Sequence, residues 1–76
     1  MDYLDIISRY EGYIWELSDI MKDFGFYGDD NELKDIIHNK QIVYTDKRDT
    51  SDYLIVSFKN DPIDDTYIFV TGYEFN

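Results

Sequence analysis

Cysteine is absent from the 76 residues, which excludes disulfide staples, thiolate metal sites and a thiol nucleophile, and fits a reducing compartment. Histidine occurs once, at His38. No Ser among Ser8, Ser18, Ser51 and Ser57 carries a nucleophile motif beside it, so a Ser–His–acid triad has no foothold. There is no Gly-rich phosphate loop, and a chain this short has little material to wall off a dry pocket. An enzyme is therefore not expected, nor is a cofactor or a bound metal. Proline is also single, and Pro62 bars a central strand at its position. No apolar run is long enough to span a bilayer, and no basic-then-apolar leader follows Met1-Asp2. The expected setting is cytoplasmic.

Positive charge is scarce as well. Seven Lys and Arg stand against seventeen Asp and Glu, for a net charge of −10. Direct binding to nucleic acid or to an anionic membrane needs cationic contacts and is not expected. Eight Tyr, five Phe and one Trp give large buried area per residue and argue for a folded domain despite the self-repulsion.

What is present begins with the stretch Asp2 to Phe24, closed by Gly25. Tyr3, Ile6, Ile7, Tyr10, Tyr13, Ile14, Leu17, Ile20, Met21 and Phe24 recur at helical spacing, which predicts one long helix of about six turns. On that helix Asp5, Glu16, Asp19 and Asp23 share an outward side, with Trp15 and Leu4 on a third. Asp2 is its cap and Gly25 its stop, while Gly12 in the interior costs about 1 kcal/mol. Phe26, Tyr27 and Gly28 form a short connection. Asp29-Asp30-Asn31-Glu32 opens a second helix, with Asp29 and Glu32 at capping-box spacing, Leu33, Ile36 and Ile37 on its apolar face, and an end at Asn39 or Lys40.

From Gln41 the period changes to two. Strands are predicted at 41–45, 53–58 and 66–71, with Gly72 as a bulge before 73–75. The expected fold is α+β: two N-terminal helices packed on a three-stranded antiparallel β-meander, as one domain over residues 1–76. Leu54, Val56, Phe58, Ile68 and Val70 form the face for the helices. Tyr53, Ile55, Tyr67 and Phe69 form an aromatic second face that two helices leave partly bare.

The aspartates at 46, 49 and 52, and at 61, 64 and 65, lie in two connections. They offer hard oxygen ligands but match no calcium-loop spacing, and Asp is what turns prefer. The carboxylates at Glu16, Asp19 and Asp23 span about 10 Å of one helix face. Rigid carboxylates at such intervals imitate a nucleic-acid backbone and suit a partner that reads phosphates with Lys and Arg. Asp5, Glu16, Asp19, Asp23, Asp29, Asp30 and Glu32 are the expected partner-binding acids, with Trp15 as an apolar anchor.

In overall character, very small, Cys-free, Tyr-rich and strongly acidic, the chain resembles phage-encoded inhibitors of bacterial defence. These include anti-CRISPR proteins, anti-restriction proteins and uracil-DNA glycosylase inhibitors, many of them DNA mimics. The resemblance lies in the character of the whole chain rather than in a motif. It implies a non-enzymatic, stoichiometric inhibitor that blocks a basic nucleic-acid-binding protein, such as a CRISPR effector or other defence nuclease, in the host cytoplasm. Three alternatives remain, the first two being a homodimerising module that uses the aromatic sheet face, and an immunity or antitoxin protein that neutralises a nuclease. A weak Ca²⁺- or Mg²⁺-binding module is a third.

Overall fold

The computed structural model describes residues 2–28, 32–46, 48–49 and 51–75. Along the chain run α1 (Tyr3–Ser8), β1 (Glu11–Tyr13), α2 (Ile14–Asp23), β2 (Phe26–Gly28), α3 (Leu33–Asn39), β3 (Gln41–Asp46), β4 (Tyr53–Asn60) and β5 (Tyr67–Phe75). The strands form one antiparallel sheet in the order β1-β5-β4-β3-β2. The α+β class and the central meander with β4 in its middle are as expected. The expectation of two helices and three strands is corrected to three helices and five strands.

The correction comes from the N-terminal third. Its helical period is carried by two helices with a three-residue edge strand between them. α1 is capped by Asp2, whose carboxylate accepts from the Leu4 N–H at 3.3 Å. Beyond α1 the backbone is taken up by the sheet: the Val70 N–H donates to the Tyr10 carbonyl, and the Ile14 N–H to that of Thr66. Those bonds cover the edge of β5, which would otherwise be an open pairing site. Gly12 is where the turn is made. Opposite Ile68 in the register, it lies under the Tyr10 ring, whose hydroxyl donates to the Tyr13 carbonyl at 2.6 Å.

Other stops and starts follow local chemistry. α2 ends at Gly25, whose φ of 90° needs a glycine. α3 begins at Leu33 with Glu32 as a cap that makes no side-chain capping bond. The helix therefore starts later than the run opening at Asp29 predicts; Asp29 itself lies outside the described residues. It ends at Lys40, in the left-handed region with φ 58°. On β5 the register slips so that Ser57 faces Gly72 while Phe58 faces Val70. Thr71 is thus the extra residue, a bulge beside the expected glycine.

All three helices pack on one face of the sheet. Ile7 of α1 and Ile14, Leu17 and Met21 of α2 are buried against Phe26, Ile42, Tyr44, Leu54, Val56, Phe58 and Ile68, with Ile36 and Ile37 of α3 half-buried at the margin. Leu4, expected on a third side, packs against the core instead, and two residues of the predicted stripe leave it. Tyr13 turns to the other side of the sheet, and Phe24 is 38% exposed. Among the described residues, no helix is long and apolar enough to cross a membrane.

The kink gives a test with an opposite sign to the single-helix expectation. In a helix interior Gly12→Ala would stabilise by about 1 kcal/mol. Here an added Cβ would lie 2.8 Å from the Tyr10 hydroxyl oxygen and 3.1 Å from its Cζ. The ring must move and its bond to Tyr13 is lost, so urea unfolding of Gly12→Ala will show a loss of about 1–2 kcal/mol.

Candidate functional site

α2 carries the site because it is amphipathic in both senses. Ile14, Leu17 and Met21 are buried, whereas Glu16, Asp19 and Asp23 are exposed on the opposite side. The three carboxylates recur at spacings of three and four, so they share one face. The ten residues of α2 run about 15 Å.

The sheet fixes what lies beyond each end. At the N-terminus of α2, the bond from the Ile14 N–H to the Thr66 carbonyl, 2.9 Å, ties the helix to the β4–β5 connection. At its C-terminus the chain turns through Gly25 into β2, where Phe26 faces Asp46, the last residue of β3. Asp61, Asp64 and Asp65 of one connection and Asp46 at the start of the other thus fall at the two ends of the helix that bears Glu16, Asp19 and Asp23.

The loop carboxylates are held by their own turns. Asp61 Oδ1 accepts from the N–H groups of Ile63 and Asp64 at 2.8 and 3.2 Å. Asp46 Oδ1 accepts from the Arg48 N–H at 2.7 Å. Asp49 accepts from the Ser51 hydroxyl and N–H at 2.7 and 3.0 Å, and Asp64 does the same with Thr66. Donation by those hydroxyls, then by the backbone, holds Asp49 and Asp64 below the usual carboxylate range, so both are ionised at neutral pH. These bonds are Asx turns, the role that turn chemistry assigns to Asp. Among the described residues, no group of three or more His, Asp or Glu comes together to hold a metal ion.

Three tyrosine hydroxyls are raised, Tyr3 and Tyr10 chiefly by burial and Tyr67 chiefly by a carboxylate. Tyr3, packed 5.5 Å from both Phe24 and Phe26, has its hydroxyl pushed up first by burial and then by Asp2 and Asp46. Tyr10 is pushed up to about 12, first by burial and then by Glu16. Tyr67 is raised first by its bond to Glu11, whose Oε2 accepts from the hydroxyl at 3.0 Å, and Asp61 contributes further.

The other expected site residues fall differently. Asp5 is exposed on α1, and the interruption at β1 removes the helical register that aligned it with Glu16. Glu32 is exposed and pairs with Lys34 at 3.3 Å. Asp29 and Asp30 lie outside the described residues. Trp15 is 50% exposed. Together with Asp19 and Lys22 it forms one wall of a cleft of about 320 Å³, closed on the other side by Leu33 and Ile36 of α3.

Trp15 also begins a feature that the helical reading of Tyr13 concealed. Its ring stacks on Tyr13 at 4.6 Å and 7°; Tyr13 meets Tyr67 edge-on at 5.4 Å, and Tyr67 meets Phe69 at 5.5 Å. Lys59 Nζ sits 5.9 Å from the centre of the Phe69 ring. This ladder crosses the sheet face that the helices leave open. Tyr67 and Phe69 are on the expected aromatic face, but for Tyr13 the only sequence signal is the alternation Glu11-Gly12-Tyr13, and three residues are too few to outweigh a helical stripe.

No family model matches this chain, and neither does any curated protein or solved structure. Function must therefore be read from the geometry.

The Tyr10 shift gives a titration. A tyrosine whose folded pKa is raised contributes stability that is whole below its ordinary value near 10 and is lost as pH rises toward 12. Absorbance titration will show a tyrosinate step near pH 12 that is lost in Tyr10→Phe. In Glu16→Gln the same step will move to lower pH.

Proposed function

We propose that this protein is a non-enzymatic inhibitor that presents its acidic band in place of nucleic acid and blocks a basic nucleic-acid-binding protein. One observation carries the reading: Glu16, Asp19 and Asp23 line the exposed face of a helix that has an acidic loop at each end. Carboxylates fixed on a helix and in hydrogen-bonded turns lose little freedom on binding, so their pairing with Lys and Arg is pre-organised. A protein that reads phosphates with an Arg–Lys surface meets the same charge here without the bases. Trp15, half exposed at the flank of the band, is the side chain of the kind that anchors such contacts. The resemblance in character to phage-encoded anti-defence proteins suggests the target class, a defence nuclease or CRISPR effector.

Binding of this kind weakens steeply with salt, because close charge pairs are screened. A target captured at low ionic strength will lose its nucleic acid in a competition assay as the inhibitor is added. The triple variant Glu16→Gln/Asp19→Asn/Asp23→Asn will keep its fold and inhibit roughly tenfold or more weakly, with a shallower salt dependence. A captured partner that still binds nucleic acid normally within the complex would rule the mimicry out.

A further inference from the structure

We propose that the open face of the sheet pairs with a second copy of this chain. The face is built by register. Val43 lies opposite Ile55, Thr45 opposite Tyr53, Lys59 opposite Phe69, and Tyr13 opposite Tyr67, all pointing away from the helices. None of these side chains belongs to the core, and each is only half-buried or exposed. Aliphatic Val43 and Ile55 at the centre of an open sheet face, with an aromatic ladder beside them, are the composition of an interface core rather than of a solvated surface.

The distribution of charge selects the occupant. Among the described strand residues, the only charges on this face are Glu11 and Glu74 against Lys59, and Glu11 already accepts from Tyr67. On a chain of net charge −10, the strands of this face carry both signs, with Asp61 of the β4–β5 connection adding negative charge at Tyr67. A second copy meets strong repulsion against the acidic helical side and much less here. A basic partner, by contrast, gains nothing from this face that the acidic band does not offer better.

At about 4.8 Å between strands and about 3.3 Å per residue, the sheet offers roughly 450 Å² per copy. Two copies then cover about 900 Å², below the roughly 1,200 Å² of stable specific interfaces and within the range of weak, transient ones. The expected dimer is weak and reversible. Face-to-face stacking leaves both helical layers outside, so the dimer carries two acidic bands facing away from each other. The pairing stands apart from the proposed inhibition, and its salt dependence has the opposite sign. Salt screens the repulsion between two acidic copies and tightens the dimer, while it loosens the grip on a basic target.

Sedimentation equilibrium of the intact chain, from about 10 μM to about 1 mM, reads this directly. The expected mass rises with concentration from 9.2 kDa toward twice that value, and the rise comes at lower concentration in high salt. Ile55→Lys and, separately, Tyr53→Lys will each weaken association roughly tenfold or more; two variants guard against a loss of folding in one. Ile63→Lys, at a residue 95% exposed in the β4–β5 connection, will leave association unchanged. A mass of 9.2 kDa throughout the range overturns the proposal. So does a dimer that survives both face substitutions, or one that Ile63→Lys dissociates equally well.

Discussion

The contact on which the rest of the structure depends is the Tyr10 ring lying over Gly12, with its hydroxyl donating to the Tyr13 carbonyl at 2.6 Å. It ends one helix, feeds three residues into the sheet and starts another within the space of a single turn. It acts together with the bonds from the Val70 N–H to the Tyr10 carbonyl and from the Ile14 N–H to the Thr66 carbonyl, which cover the edge of β5. Because of it α2 starts from the β4–β5 connection and crosses to the β2–β3 edge, and Tyr13 is delivered to the opposite side of the sheet. The placement of both the acidic band and the aromatic ladder follows from this one kink.

Net charge is the second constraint. A small domain carrying −10 must fold against its own repulsion, and the core answering it is dense in large side chains, with Tyr44, Ile7, Leu17, Met21, Ile42 and Leu54 fully buried. The loop aspartates also contribute to order. Asp46, Asp49, Asp61 and Asp64 accept backbone N–H groups in their turns, so their charge does conformational work while remaining at the surface. The charge is not merely tolerated as a solubilising coat.

Much of this was legible in the sequence where the pattern was local. The alternation Leu54, Val56, Phe58 names the buried face of β4, and Gly25 marks the end of α2. The spacing of Glu16, Asp19 and Asp23 puts them on one helix face with no tertiary information. The long helix was misread for a physical reason: Tyr3, Ile6, Ile7, Tyr10 and Tyr13 keep the 3.6-residue period even though the chain leaves the helix at Arg9. Only Gly12 objected, and a cost of about 1 kcal/mol is smaller than the tertiary hydrogen bonds that decide the matter. Asp5 was lost from the band for the same reason. β2 was invisible because Phe26-Tyr27-Gly28 becomes a strand only by pairing with β3, a contact that no local window contains.

Trp15 sits where the two surfaces meet. Tyr13 covers one side of its ring, and through Tyr13 it continues into the ladder on the open sheet face. It also shares a cleft wall with Asp19 of the acidic face. A basic partner on the acidic face, as proposed, would reach it from the helical side, and a second copy on the sheet would approach its stacked neighbour from the other. The two contacts are thus separate in their chemistry, one electrostatic and one apolar, yet adjoin at a single indole.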